Sequence, residues 1–523
     1  MRLTNLSVHN FRAISGISLT DIPEAVVLAG PNGCGKSCVL DAIRLLKSAY
    51  GSYQQDEWQT WFGEFQINLN KEPRELLTLF QNKQQELKIS GRFRLSEQEQ
   101  KYLKTNAKDL LEEKLWREVT PEIARARKVG ALTLASTQRA HRKQVDEHTL
   151  KLLPELLKEL ESADHDAVLT IEPLGAGQAK PNLLLEIIFS TYEPQQLGVV
   201  DYHGPNRNYN RERLSNINLT IESSEDRLRQ HALYNYANKY ANLKTEMASA
   251  YIRHLLASRA DPPAAATDDS LTATLKELFI TFFPGKQFLG PQPTGDGRLL
   301  FPVKLRDGGE HDIDDLSSGE KEVLYGYLRL HNAAPRHAII LIDEPELHLN
   351  PRLVSGLAAF YYRHLGVKLD NQLWLVTHSD TLIREAVSQP HFAVYHIQPP
   401  GTVSDSQATP VKAQEDIERV VLALVGDLAA YRPGEKVVVF ESSDDAAFDM
   451  RMTCTLFPEF EQQTNPISAG DKKRVADLYE LLEKARRAGH LHARFYAITD
   501  ADDEELPPGP STRYRWDVYH IEN

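Results

Sequence analysis

Residues 25–37 read Ala25-Val26-Val27-Leu28-Ala29-Gly30-Pro31-Asn32-Gly33-Cys34-Gly35-Lys36-Ser37. The first five residues form a short apolar run, which reads as a buried strand. The next eight fit the pattern Gly, four residues, Gly-Lys-Ser/Thr of a phosphate loop. From Ser37 to Tyr50 the apolar residues Val39, Leu40, Ile43, Leu45 and Leu46 follow a helical period. Strand, Gly-rich turn and helix thus occur in the order that phosphate binding needs. Backbone N–H groups of such a turn surround a β-phosphate, and the helix start adds the positive end of its dipole. Lys36 is expected to reach the β- and γ-phosphates and Ser37 to offer a hydroxyl to Mg²⁺.

Much further along, Ala338-Ile339-Ile340-Leu341-Ile342-Asp343-Glu344-Pro345-Glu346 is a buried strand with acids at its C-terminal end. Open α/β sheets bind ligands at that edge. Asp343 is the expected Mg²⁺ ligand, through water, and Glu344 the base that polarises the attacking water. Upstream lies Leu316-Ser317-Ser318-Gly319-Glu320-Lys321, where a helix start would offer N–H groups and hydroxyls to an anion. Downstream, Thr377-His378-Ser379 closes the strand Leu373–Val376, and His378 can contact a γ-phosphate. Singly, the Ser-Ser-Gly is equally a helix cap and His378 a polar strand end. Their joint order carries the reading.

Length and composition set bounds. A chain of 523 residues spans about three to four domains. With 60 Lys and Arg against 73 Asp and Glu, the net charge of −13 excludes a strongly basic nucleic-acid coat but not a local groove. Arg207, Arg211 and Arg213 could line such a groove, or could be a solvated cluster. Cys34, Cys38 and Cys454 form no Cys-x-x-Cys pair, so neither a zinc site nor a disulfide framework is expected, and the chain suits a reducing cytoplasm. No secretory h-region and no long apolar run appear, so no membrane span is expected.

The remaining pattern is α/β, with helical, polar insertions at about 50–165 and 222–285. The first holds one strand-like piece at 87–95 and is interrupted at Pro121, Gly130 and Pro154. Three strands are read at 167–174, 182–190 and 197–203 and another at 298–305. A helix follows from 320, then a strand at 338–342, a helix at 351–365 and a strand at 372–376. A linker is expected near 398–410, rich in Pro, Ser and Gly. Beyond it comes a second α/β run: strand 436–440, helix 444–457, strand 464–468, helix 471–488 and strand 493–499. Glu441 ends its first strand with Asp444 and Asp445 close behind, and the last strand leads into Asp500-Ala501-Asp502-Asp503. Such carboxylates can surround divalent ions for phosphodiester cleavage, or can be two solvated acidic turns.

Taken together, Gly-Pro-Asn-Gly-Cys-Gly-Lys-Ser, Leu-Ser-Ser-Gly-Glu-Lys, Ile-Leu-Ile-Asp-Glu-Pro-Glu and Thr-His-Ser resemble the ABC-type ATPases related to RecF, the OLD proteins and the coiled-coil repair ATPases. Asn10-Phe11-Arg12 is similar to their Asn-Phe-Arg element, whose Arg contacts the nucleotide. The resemblance implies an ABC-type P-loop ATPase head that binds ATP and Mg²⁺. Its nucleotide site would comprise Arg12, Gly30, Asn32, Gly33, Gly35, Lys36, Ser37 and Cys38, with Asn350 in the D-loop. The family's Q-loop glutamine has no clear counterpart, Gln66 being a weak candidate. In that family, Ser317, Ser318 and Gly319 of one chain complete the site of another, which implies a dimer or higher even oligomer. The proline- and glycine-broken insertions argue for a compact helical domain, not long coiled coils.

The C-terminal run resembles the TOPRIM fold, whose motifs are Glu-Gly-x-x-Asp and Asp-x-Asp. Glu441 and Asp445 keep the first spacing, with Ser442 where the family has Gly. The likeness makes Glu441, Asp445, Asp500 and Asp502 metal ligands, with Glu441, Asp500 and Asp502 also catalytic. It divides the chain into an ATPase head at 1–400, a linker region at 401–430 and a TOPRIM-like domain at 431–523. The stretches 201–212, Phe282–Lys286 and Tyr519–Asn523 look like those of PARIS anti-phage defence proteins. That resemblance implies an oligomeric ATPase sensor that restrains a nuclease toxin and releases it when a phage trigger protein appears, the toxin acting on host tRNA. An OLD-type DNA nuclease and a repair ATPase that clamps DNA are the alternatives. Glu522-Asn523 falls inside what resembles a late metal-binding motif, so further chain is expected beyond it.

Overall fold

Three of the apolar runs foreseen as buried strands become neighbours in one sheet. The computed structural model describes residues 1–54, 57–67, 73–120, 131–173, 175, 177–205, 232–233, 248–249, 252, 271–293, 299–332, 335–347, 349, 351–401, 406–411, 436–441, 448–457, 460, 464–470, 475, 479, 494–499 and 513–515. The fold is mixed α/β, and the chain divides into two compact units, Met1–Val411 and Lys412–Asn523.

In the first unit, Ala25–Ala29 lies between Gln372–Thr377 and Phe392–Ile397, parallel to both. Ile339–Asp343 pairs in parallel with Gln372–Thr377 on one side and Val200–His203 on the other. Ala408–Pro410 closes the far edge in the antiparallel sense. All residues of Ala25–Ala29, Ile339–Asp343 and Gln372–Thr377 are buried. That explains their unbroken apolar character: a parallel strand covered on both faces has no polar side to show.

A second sheet of five antiparallel strands runs in the order Ile14–Leu19, Arg2–Phe11, Leu87–Arg94, Asp164–Ile171, Gly177–Ala179. Leu87, Ile89, Gly91 and Phe93 point inward while Lys88, Arg92 and Arg94 face solvent, the alternation of a sheet wet on one face. The helix Lys36–Tyr50 packs on this sheet and is buried on nearly every side. The insertion is helical only in part, because Leu87–Arg94, the strand-like piece expected at 87–95, takes its place in the N-terminal sheet. Its helices Glu97–Val119 and Ala131–Glu159 pack on each other. Ser96 and Glu99 form a capping box at the start of the former.

Several expectations need correction. Residues 183–190 are a helix, Leu183–Ser190, not a strand. An apolar run of this length carries no period to separate the two, and the deciding signal is Asn182, whose side chain caps the helix by accepting from Leu185 N at 2.9 Å. Pro154 does not interrupt its helix, which runs from Ala131 to Glu159. The hydrogen bond lost there is offset by burial of Leu156 and Leu160. Residues 351–365 are not one helix: Pro351–Val354 and Leu357–Tyr361 are separated by Gly356 at φ 87°. Residues 298–305 make two short strands, Leu299–Leu300 and Pro302–Leu305, in different sheets.

The supposed linker at 398–410 is tied into the first unit. Gln407 is 1% exposed, accepts from Ser15 N at 2.6 Å, and donates to Gln398 O at 2.9 Å. One amide thereby satisfies backbone that a Ser- and Pro-rich stretch cannot pair by itself. The helix Asp380–Val387 and the strand Phe392–Ile397 were not foreseen.

The second unit has a four-stranded parallel sheet in the order Thr464–Gly470, Lys436–Glu441, Arg494–Thr499, Arg513–Arg515. Its first, second and third strands in chain order fall where the sequence pattern put them. The helix foreseen at 444–457 is described as Phe448–Leu456. Most of the helix foreseen at 471–488 lies outside the described residues.

Charges sit inside the helix Lys36–Tyr50, each with partners. Arg44 donates to Leu233 O at 2.9 Å, Asp41 Oδ1 at 3.1 Å and Glu64 Oε2 at 2.6 Å, and its guanidinium lies 4.0 Å from the Tyr202 ring centre. Lys47, fully buried, pairs with the buried Glu57 and sits 3.3 Å from the Tyr53 ring centre. Burial pushes the Lys47 ammonium down to about 8, and Glu57 opposes that fall. Removing one partner of such a pair leaves the other charge in the core. Lys47→Ala should therefore destabilise the first unit by about 3–5 kcal/mol, whereas Lys47→Met with Glu57→Met should recover most of the loss. The urea midpoint of the unfolding transition checks both.

Candidate functional site at the C-terminal edge of the parallel sheet

The strand Ala25–Ala29 ends at Gly30, and the turn from Gly30 to Gly35 leads into the helix beginning at Lys36. Gly30, Gly33 and Gly35 take φ values of 153°, 79° and 102°, backbone that side chains disfavour. A Cβ on Gly30 would stand 2.4 Å from Ile397 O, and one on Gly35 would stand 3.2 Å from Ile14 Cγ1. Gly33 has open space around it and is exposed, as is Asn32. The turn is thus held against the fold at two glycines and open at the third. Lys36 is buried, and its Nζ donates to Gly30 O at 2.8 Å and Pro31 O at 3.0 Å. Ser37 is half-buried. The N–H groups of the first helical turn have no partner within the helix, which suits an anion. Cys34 and Cys38 are buried thiols whose pKa values burial raises, so Cys38 can serve the site through its backbone N–H and not as a nucleophile.

Arg12 stands at a strained corner. Asn10 and Arg12 both take left-handed backbone, φ 57° and 52°. Asn10 donates to Asn82 O and Gln85 O, each at 2.8 Å, and accepts from Asn82 N at 2.5 Å. It is a clamp on the 82–86 turn, while Phe11 is fully buried. Arg12 Nη1 donates to Asp41 Oδ2 at 2.6 Å, and its guanidinium lies 4.4 Å from the Phe65 ring centre. Asp41 is buried between Arg12 and Arg44, and burial raises its pKa against the pull of both cations. Gln66, the weak Q-loop candidate, follows Phe65 in an exposed turn at φ 58°.

The acidic strand end lies in register with this loop. Asp343 pairs with Val376, and Thr377 pairs with Ala29, so three strand ends come level. Asp343 is 3% exposed. Glu344 turns into left-handed backbone, φ 49°, and its N–H donates to Val376 O at 2.9 Å. A non-glycine residue held in that region marks backbone strain next to the acid. His378 Nδ1 lies 3.4 Å from Glu344 Oε1 and 3.7 Å from Glu346 Oε1. The structure therefore brings Glu344 and His378 together. Ser37 and Asp343 are oxygen donors of the kind Mg²⁺ takes, with Asp343 buried at its strand end.

Ser317, Ser318 and Gly319 open the helix Ser318–Asn332, and both serines are exposed. Ser317 N and Ser317 Oγ donate to Glu320 Oε2 at 3.0 and 2.8 Å. Lys286 Nζ joins the same oxygen at 2.9 Å. Phe282–Lys286 thereby gains a local role: Gly285, at φ 96°, turns the chain so that Lys286 reaches the serine-bearing helix start.

In the second unit, Glu441 ends the strand Lys436–Glu441 one residue past the pairing of Phe440 with Ile498, and the partner strand ends at Thr499, the residue before Asp500. Asp444, Asp445, Asp500 and Asp502 lie outside the described residues, as do Ser442, Asn350, Arg207, Arg211 and Arg213. Among the described residues no helix is long and apolar enough to cross a membrane.

Sequence reasoning passed over Asp41, Phe65 and Glu346. Asp41, Arg44 and Lys47 recur every three residues within an apolar helix, and that recurrence was the available sign of buried charge. The two loop glycines give a graded test. Gly30→Ala should weaken ATP binding at least tenfold, because its Cβ meets backbone. Gly33→Ala should act more mildly, through left-handed strain of about 1 kcal/mol alone. Titration with a fluorescent ATP analogue separates the two.

The family model described as "AAA ATPase domain" matches residues 1–383. Among solved structures, the Smc head domain with an extended coiled coil bound to the C-terminal domain of ScpA, from Pyrococcus furiosus, aligns at 11% identity with a TM-score of 0.37. That alignment covers 78% of this chain and 96% of the other. A search of curated proteins gives no match. The family match spans the phosphate loop, the serine-bearing helix start, the acidic strand and His378, and the chain belongs to the AAA ATPase domain family.

Proposed function

We propose that the chain is an ATP-hydrolysing sensor whose head works as a dimer or higher even oligomer and controls a metal-dependent nuclease in its second unit. The carrying observation is the level register of the phosphate loop, Asp343–Glu344 and His378, set against serines that open a different helix and face solvent. Lys36 exchanges its two loop carbonyls for the more strongly charged phosphate oxygens. Ser37 and Asp343 would hold Mg²⁺, which supplies charge neutralisation at the phosphates when bound. Glu344 takes a proton from the attacking water, and His378, beside it, contacts the γ-phosphate. Arg12, Asn32 and the N–H of Cys38 complete the nucleotide's surroundings. Ser317, Ser318 and Gly319 serve the site of another copy, which their exposure allows.

For the second unit, the adjacency of Glu441 and the end of Arg494–Thr499 supports a shared acidic site for Glu441, Asp445, Asp500 and Asp502. The phage trigger protein and the tRNA substrate rest on the sequence resemblance to PARIS proteins.

Two assays test the reading. Lys36→Ala and Ser318→Arg chains should each lose ATPase activity, and an equimolar mixture should regain part of it through mixed pairs. No recovery would contradict a shared site. With Mg²⁺ or Mn²⁺ and ATP, the chain should cleave tRNA, and Asp500→Ala should not. Cleavage of plasmid instead would assign a DNA nuclease, and DNA-stimulated hydrolysis without cleavage would assign a repair clamp.

A further inference from the structure

Glu346 is a buried carboxylate on the loop that carries Glu344. It is 5% exposed and lies three residues beyond Asp343. One of its oxygens, Oε1, accepts two hydrogen bonds from the turn that leaves the neighbouring strand: from Thr377 Oγ1 and, at 2.9 Å, from His378 N. Thr377 Oγ1 in turn accepts from Ser379 N at 2.9 Å. Ser379 then caps the helix Asp380–Val387, accepting from Leu382 N at 3.4 Å. A single side chain from the acidic loop thus gathers the Thr377-His378-Ser379 turn. Thr377 is fully buried and cannot turn to water for another partner.

The other oxygen, Oε2, is buried and has no hydrogen-bond partner among the described residues. A buried, unpartnered carboxylate oxygen is costly, and a fold keeps such a group where it serves something else. Here that service is geometric. His378 lies 3.4 Å from Glu344, and its own N–H is bonded to a residue of the loop that carries Glu344. The Glu344 N–Val376 O hydrogen bond is the last backbone link between the two strand ends, and beyond it the Glu346 side chain ties the acidic loop to the His378 turn.

We infer that Glu346 is a positioning residue for ATP hydrolysis: its Oε1 fastens the His378 turn to the acidic loop and keeps His378 beside Glu344. The hydrogen-bond acceptor is what matters, so glutamine, which keeps a carbonyl oxygen there, should retain part of the function. The kinetic consequence rests on the ATPase reading above, whereas the fastening itself does not.

The test therefore has two arms on the full chain. In hydrogen exchange without nucleotide, Glu346→Ala should speed exchange of the His378 amide at least tenfold, because its acceptor is gone. Unchanged exchange would overturn the inference whether or not the chain hydrolyses ATP. In steady-state kinetics with ATP and Mg²⁺, Glu346→Ala should lower kcat at least tenfold with KM within threefold. Glu346→Gln should recover at least fivefold over Glu346→Ala. His378→Ala should lose as much as Glu346→Ala, and the double variant should be no slower than the slower single one within a factor of two. Losses that multiply in the double variant, or a Glu346→Gln chain as slow as Glu346→Ala, would overturn the inference by giving Glu346 a role of its own. Should Glu346→Ala fail to fold, Thr377→Val removes one of the two donors to Glu346, together with the acceptor of Ser379 N, and should lower kcat two- to fivefold at unchanged KM. Equal turnover to wild type would count against the fastening. A wild-type chain that hydrolyses no ATP would sink the ATPase reading and leave the exchange arm to decide the fastening.

Discussion

The parallel register of Ala25–Ala29, Gln372–Thr377 and Ile339–Asp343 is the constraint on which the rest depends. The three strands come from distant parts of the chain, yet their pairing sets Ala29 beside Thr377 and Val376 beside Asp343. The phosphate loop, the His378 turn and the acidic loop leave one sheet edge together as a result. A slip of one residue would turn every side chain of a strand to the other face. Residues buried on both faces of the sheet pin the strands by packing, and the polar residues Gln372, Thr377 and Asp343 stand at strand ends.

What the register leaves undone, side chains complete. Glu346 joins the acidic loop to the His378 turn, Gln407 joins Ser15 to Gln398, and Lys286 joins Glu320 at the serine-bearing helix start. Each links loops or strand ends whose backbone has no ladder partner at that point. The phosphate-loop helix carries a similar set inside the core, with Asp41 between Arg12 and Arg44, and Lys47 against Glu57. Arg12 at the loop is therefore coupled through Asp41 to Arg44 and on to Leu233 O. Buried charges of this kind add little net stability but tolerate few arrangements.

The sequence made the phosphate loop, the acidic strand and the His378 strand legible for one physical reason. Strands covered on both faces are unbroken apolar runs, and their ends are marked by residues of definite chemistry. The same rule misled at Leu183–Ser190, where an equally apolar run is a helix fixed by the Asn182 cap. It was silent at Ala408–Pro410, where Pro, Ser and Gly announce a linker but the Gln407 side chain ties the segment down. Asp41 and Glu346 were in view as letters, yet their roles come from residues remote in the chain. For the second unit, the strand positions were legible as short strand-like runs within an α/β order, and the pairing of the strands that end at Glu441 and Thr499 required the structure itself.

The central claim is that two heads share each ATP site, and assembly state against turnover tests it most directly. Sedimentation velocity of a Glu344→Gln chain, which should bind ATP without consuming it, is predicted to show a monomer without nucleotide and a dimer or higher even oligomer with ATP and Mg²⁺. Over the same concentrations, wild-type turnover per chain should rise steeply as assembly sets in. A chain that stays monomeric with ATP, and whose turnover is constant across dilution, would contradict the shared site.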